Sequence, residues 1–122
     1  MQILDNEDQI RAAIAVMHPV ARVAAQCLAN HLLENPHIFA DEEQRERAYF
    51  GACSFAMQQA HWDLNDQTRL SQFFENHGDS VANVAMSIVN LVEVQSERRR
   101  KWGWLGKAAA FTGGLIVASL FG

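Results

Sequence analysis

The chain ends with the stretch ERRRKWGWLGKAAAFTGGLIVASLFG, residues 97–122, which decides how the rest of the chain is interpreted. Four consecutive cations lead into two tryptophans, and a run of small and apolar residues then continues to the last residue. Residues 108–122 carry no charge. As a helix, residues 102–122 would span about 31 Å, close to the roughly 30 Å hydrocarbon thickness of a bilayer. The stretch therefore predicts a C-terminal membrane anchor.

The residues just before the apolar run have the chemistry of a membrane interface. Basic residues flanking a span are typical of its cytoplasmic side, and tryptophans are enriched at headgroup level. We define residues 98–107 as the basic collar. The predicted lipid-headgroup contacts are Arg98, Arg99, Arg100, Lys101 and Lys107, and the predicted interface anchors are Trp102 and Trp104.

Small residues recur every four positions in the tail. Small side chains at this spacing let helices approach closely in lipid, where packing drives association. A helix poor in large side chains gains little from lipid, so the pattern predicts a homo-oligomer. The predicted association stripe comprises Gly106, Ala110, Gly114, Ala118 and Gly122.

Charge is distributed unevenly along the chain. Residues 1–97 carry 14 acidic side chains and five cations, a net charge of −9, whereas the basic collar carries +5. An acidic body repels phosphate, which argues against a nucleic-acid partner. The acidic start QILDNEDQ is unlike a signal peptide, so we expect the body to lie in the cytoplasm. The expected partners are membrane lipid, further copies of the chain and a cytoplasmic protein.

The body reads as helix throughout, because no stretch alternates with period two. We expect a first helix after an Asp5 cap, a kink or restart at Pro19, and an end at Pro36. Asp41 opens a further helix with a capping-box-like DEEQ. Residues 48–57, AYFGACSFAM, are small or apolar on every side, which predicts a buried central helix.

Two more helices are expected after a turn at HWDLND, residues 61–66. A short amphipathic helix over residues 67–78 should end at Gly78, with His77 as a C-terminal cap. Asp79 or Ser80 should start the last helix, which has no clear stop before Gly103 and projects from the body if it continues to Phe121. The predicted fold is all-α: a small bundle of four to five helices, with the projecting last helix as a transmembrane tail.

The sequence offers little catalytic or metal-binding chemistry. His61 and Asp63 are two apart and would not face each other on a helix. Cys27 and His31 lie four apart on one helix, but no complete ligand motif accompanies them. Cys27 and Cys53 both lie in apolar patterns, which favours reduced, buried thiols. We therefore expect no catalytic residue, no metal, no cofactor and no enzyme activity.

These observations predict three regions: an acidic helical body (1–97), the basic collar (98–107) and an apolar tail (108–122). The favoured function is a tail-anchored, self-associating membrane protein whose body binds a partner or controls assembly and whose tail permeabilises the membrane. The tail is short and contains few large side chains, so two alternatives stay open. It lies in the membrane interface, or it is buried in the core of a soluble ring-like or virion-type assembly.

Overall fold

The computed structural model describes residues 3–100 and 117–122, without the side chains of residues 95–100. The regular structure in these residues is entirely helical, which confirms the predicted all-α class. The helices are α1 (Glu7–Ala15), α2 (Pro19–Glu34), α3 (Pro36–Phe39), α4 (Glu42–Gln59) and α5 (Gln67–Arg100). A sixth helix, α6, covers residues 117–121.

Local capping explains where α1 and α2 begin. Asn6, not the predicted Asp5, caps α1, because its Oδ1 accepts a hydrogen bond from the Asp8 amide at 2.7 Å. Pro19 occupies the first turn of α2, where a missing N–H has no cost. The predicted kink or restart at Pro19 is thus a complete break between two helices.

Both ends of α4 show clear cap chemistry. Asp41 accepts from the amides of Glu43 and Gln44, as the DEEQ pattern predicts. At the other end, the Trp62 amide donates to the Met57 carbonyl and the His61 amide to the Gln58 carbonyl, both at 3.0 Å. This pair of bonds defines a Schellman motif. Its left-handed position, usually glycine, is held by His61 at a φ of 60°.

The predicted helix end at Gly78 is wrong, because α5 runs through it without interruption. Gly78 is buried, and a Cβ at this position would overlap the hydroxyl of Tyr49 on α4. Glycine at this position therefore leaves room for the Tyr49 side chain rather than ending the helix. The separate cap predicted at Asp79 or Ser80 does not exist, and His77 lies in the middle of a helix.

Helix α2 forms the centre of the bundle, since it packs against both α4 and α5, while α1 packs against α5. Its inward face is mostly alanine, which allows close helix contact. The buried residues of α2 are Val20, Ala21, Ala24, Ala25, Leu28, Ala29 and Leu32. Val23 lies on the opposite face and is exposed.

Helix α4 is not buried on every side, contrary to the expectation for residues 48–57. Ala52, Cys53, Ala56 and Met57 face the core, but the side chains of Phe50 and Phe55 are each 46% exposed. The buried face of α4 consists mainly of small residues. This single face packs against the alanine-rich face of α2.

Candidate functional site

The predicted membrane-contacting residues fall mostly outside the described residues. Arg98, Arg99 and Arg100 form the last turn of α5 by their backbone. The remaining predicted positions in residues 101–116 are outside the description, namely Lys101, Trp102, Trp104, Gly106, Lys107, Ala110 and Gly114. Helix α5 passes through residue 97, the predicted border between body and collar, and continues to Arg100.

The end of the chain, residues 117–122, packs against the helical body, and we call it the C-terminal segment. Val117 is 0% exposed and Leu120 6% exposed, and both belong to the single hydrophobic core that contains Ile10 and Ile14 of α1. Phe121 is partly buried against the same core. The sequence predicted a last helix that projects from the body. This prediction is wrong for residues 117–122, which lie on the body.

The C-terminal segment presents its small residues outward. Ala118 and Gly122, the two described members of the predicted association stripe, are exposed. The larger Val117 and Leu120 point inward. This orientation follows from apolar burial, because branched side chains remove far more surface from water than alanine or glycine. Self-association through the stripe stays a prediction.

A polar contact joins this segment to α1. Arg11 Nη2 donates to Ser119 Oγ at 3.0 Å and to Glu7 Oε1 at 2.7 Å. Arg11 is exposed, so solvent and salt weaken both interactions, and each contributes less than about 1 kcal/mol. The contact thus positions the segment more than it stabilises it.

The forces that hold the C-terminal segment nearly balance. Burial of Val117 and Leu120 contributes about 1.5–3 kcal/mol each, and Phe121 and the Arg11 contact add about 2 kcal/mol together. Ordering the backbone of the five residues in α6 costs about 5–10 kcal/mol. The sum lies within a few kcal/mol of zero, so a modest perturbation suffices to detach the segment.

Close to the C-terminal end of α1, a cluster of rings surrounds the short connection to α2. His18 caps α2, with its Nδ1 accepting from the Val20 amide at 3.1 Å. Its ring centroid lies 5.0 Å from that of His77 and 5.9 Å from that of Trp62. The Arg69 guanidinium stacks on Trp62 at 4.0 Å. The sequence predicted neither the capping role of His18 nor its proximity to His77. The position of His18 directly before Pro19 at a helix start was a signal for the capping role.

A cavity of about 320 Å³ opens beside this cluster. One wall consists of polar α5 side chains, including His77, Ser80 and Asn83, and the other includes Met17 and His18. Asn83 Oδ1 is buried without a hydrogen-bond partner among the described residues. Water entering the cavity would satisfy this oxygen and would also reach both imidazoles.

A second concave surface, the α2–α4 groove, lies on the outer side of the bundle. Two adjoining cavities of about 530 and 380 Å³ share Cys27 and His31 in their linings. From α4, Gly51 and Phe55 line the groove, and a Cβ at Gly51 would meet no atom within 4 Å. The groove has a mixed lining, in which apolar side chains such as Ile38 and Phe55 lie beside the charged Arg47 and Glu34.

The two cysteines are free thiols, and Cys53 is buried as predicted, whereas Cys27 is only partly buried. Burial raises the pKa of Cys53 to about 12, a rise that the neighbouring Tyr49 hydroxyl partly opposes. Burial likewise raises the pKa of Tyr49 to about 12, and the nearby Cys53 and Asp79 add to that rise. Desolvation also raises the pKa of the half-buried Cys27 thiol. Neither cysteine has the depressed pKa of a nucleophile.

The candidate chemistry considered from sequence has structural explanations. His61 closes α4, and Asp63 Oδ1 accepts from the Asn65 amide at 2.9 Å, which makes a turn rather than a catalytic pair. Within residues 3–100 and 117–122, no three His, Cys, Asp or Glu side chains form a group able to hold a metal. Cys27 and His31 share the groove wall without a third ligand in that described part.

Among the described helices, none combines the length and the apolar character needed to cross a bilayer. Comparisons of the chain with protein-family models, with curated proteins and with solved structures find no match.

Proposed function

We propose that this protein is a self-associating helical protein that keeps the end of its apolar tail against its own body and delivers the tail to a membrane when that contact opens. The acidic body binds a partner or controls assembly. The basic collar contacts lipid headgroups, and the delivered tail anchors in the membrane and permeabilises it.

The burial of Val117 and Leu120 in the core of the body carries this proposal. A tail with a hidden resting position and a near-zero docking free energy responds to small differences in affinity between its two positions. The +5 collar favours anionic lipid, since each basic residue near such a surface contributes about 1 kcal/mol. The two states of the proposal are therefore a membrane surface that attracts the basic collar and a docked state in which Val117 and Leu120 are buried.

The same burial supports a second candidate, a soluble structural protein. Apolar side chains that pack well in one protein core pack equally well in a neighbouring copy. In this reading the tail forms the core of a ring or tube and never enters lipid. Exposed Phe50 and Phe55 on α4 add apolar surface that such an assembly would cover.

Vesicle flotation of the full chain tests the proposal. Wild-type protein, an Arg11→Ala variant and a variant with Arg98, Arg99, Arg100 and Lys101 all replaced by Gln are mixed with vesicles of mixed anionic and zwitterionic phospholipid. We expect Arg11→Ala to raise the floated fraction, since it removes the contact with Ser119 without changing the tail itself, and the Gln variant to lower it. Mass measurement of the unfloated protein runs in parallel.

The outcomes separate the two candidates. Flotation that survives an alkaline carbonate wash, together with dye leakage from the vesicles, supports membrane delivery. Absence of flotation with growth of a discrete oligomer for Arg11→Ala supports the soluble assembly. If Arg11→Ala changes neither flotation nor mass, the docked segment has no part in the function and both proposals fail.

A further inference from the structure

The docked C-terminal segment is a small unit with its own set of contacts to the body. Val117 and Leu120 belong to the hydrophobic core, and Ser119 accepts from Arg11 of α1 at 3.0 Å. We call the part of the body around Arg11 the receiving surface. When the segment leaves, apolar groups of this surface meet water, which is unfavourable until they are covered again. A second copy of this chain brings a ligand that fits the receiving surface, because its own C-terminal segment has the same sequence.

Helices α1 and α5 run antiparallel, which fixes where the receiving surface lies along α5. The Leu4 amide, just before α1, donates to Ser87 Oγ of α5 at 2.9 Å. At the other end of α1, Met17 borders the same cavity as His77 of α5. Arg11 lies between these two contacts. The receiving surface is therefore on the side of Ser87 that is remote from the C-terminal end of α5.

Helix α5 continues beyond its packed part. Val92 is its last core side chain among those that the structure describes, and Glu93 and Val94 are exposed. From Ser87 to Arg100 the helix rises about 20 Å. A chain that leaves α5 at Arg100 must come back over about this distance to reach the receiving surface of its own copy. The end of α5 is thus no nearer to its own docking position than a neighbouring copy can be.

The connection from α5 to the segment consists of residues 101–116. A chain of this length extends to at most about 60 Å, which is enough to return to its own body and enough to reach another copy. A short tether holds its ligand at an effective concentration in the millimolar range, so docking within one copy dominates in dilute solution. Docking between copies becomes comparable when the local concentration of chains approaches that range.

We propose that two copies of this chain exchange their C-terminal segments, each segment docking on the receiving surface of the other copy. The exchange repeats every contact of the docked state and closes into a symmetric pair, because each copy gives one segment and receives one. This inference rests on the proposed function, in which the basic collar gathers copies on a membrane and so raises their local concentration. It assigns the surface through which the protein self-associates.

Cross-linking of two different full-length chains tests the exchange. Both chains carry Cys27→Ser, and one adds Glu7→Cys whereas the other adds Ser119→Cys. Arg11 Nη2 contacts both of these side chains, so the two positions lie close together in the docked state. A short bifunctional maleimide then joins the two chains when a segment docks on the other copy, and mass spectrometry identifies the joined peptides. At about 500 μM protein, we expect the joined fraction to be at least about tenfold that of a control mixture in which His37→Cys in α3 replaces Glu7→Cys.

Sedimentation of the full chain gives a second readout without added cysteines. Each exchanged pair contains two docked segments, so Leu120→Ala weakens the pair twice. We expect this substitution to raise the dissociation constant of the dimer at least about tenfold. Ala118→Ser, at an exposed position of the same helix, should leave the dissociation constant unchanged within about twofold.

Two results would overturn the exchange: a joined fraction no higher than that of the control mixture, or a dimer that Leu120→Ala leaves unchanged. Vesicle flotation of the same chains separates these results from failure of the proposed function. Joining in solution without flotation keeps the exchange and refutes membrane delivery. Flotation without joining on the vesicles keeps membrane delivery and refutes the exchange.

Discussion

Replacing Leu120 with alanine should detach the C-terminal segment without unfolding the body. Leucine-to-alanine changes in rigid cores cost about 2–5 kcal/mol. Leu120 lies in a terminal helix of five residues that can leave as a unit, so we expect the low end, about 2 kcal/mol. Because every 1.4 kcal/mol is a factor of about ten, the ratio of docked to detached molecules should fall about 30-fold.

The Gly122 amide, which donates to the Ala118 carbonyl at 2.8 Å, reports directly on this change. Since the docked and detached states are nearly equal in free energy, the detached fraction should rise from about one half to almost all molecules. Exchange of this amide should therefore reach the rate of an unprotected amide, a rise of about twofold, while the free energy of unfolding of the body changes little. Ala118→Ser, at an exposed position of the same helix, should alter exchange by less than about 1.5-fold. A loss of the full 2 kcal/mol from global stability, with terminal exchange unchanged, would show that the segment cannot open separately and would refute the reasoning.

Three further substitutions test the fold. His61→Gly should raise the free energy of unfolding by about 0.5–1 kcal/mol in chemical denaturation, since glycine relieves a left-handed residue at the end of α4; a loss of stability would contradict the cap assignment. Gly51→Ala should stabilise by a similar amount because its Cβ enters open space, whereas Gly78→Ala should stabilise less, because its Cβ must displace the Tyr49 hydroxyl; equal effects would contradict the packing. At pH 8 a thiol reagent should modify the half-exposed Cys27 well before Cys53, whose pKa is raised to about 12, and mass spectrometry of the partly labelled protein would reveal the reverse order.

Local signals predicted the fold class and several boundaries. Helical periodicity without alternation gave an all-α protein, and Asp41 and Pro19 marked helix starts because their effects act within one turn. Gly78 misled the prediction, since whether a glycine ends a helix or admits a neighbour depends on Tyr49, which is distant in sequence. After the end of α4, His61 takes the left-handed position that glycine usually occupies. The hydrogen bonds of the Schellman motif maintain this unfavourable φ.

The candidate site was less accessible to sequence reasoning. An apolar tail satisfies a lipid bilayer and a protein core alike, so the composition of residues 108–122 did not reveal that Val117 and Leu120 pack on the body. Nor does periodicity bring His18 and His77 together, because their proximity arises from the packing of α2 against α5. Contacts between distant segments therefore determine the features on which the proposed function rests.

The continuity of α5 fixes the rotational setting of the Arg98–Arg100 backbone relative to the body. The helix runs for 34 residues from Gln67 to Arg100, about 51 Å, so its last turn is in register with the core residues Ile88 and Leu91. Each inserted residue would rotate that turn by about 100°, and four insertions would return it to within about 40° of its original direction. The direction in which the Arg98–Arg100 backbone leaves the body therefore depends on the number of residues in α5, which links the end of this helix to the packing of the bundle.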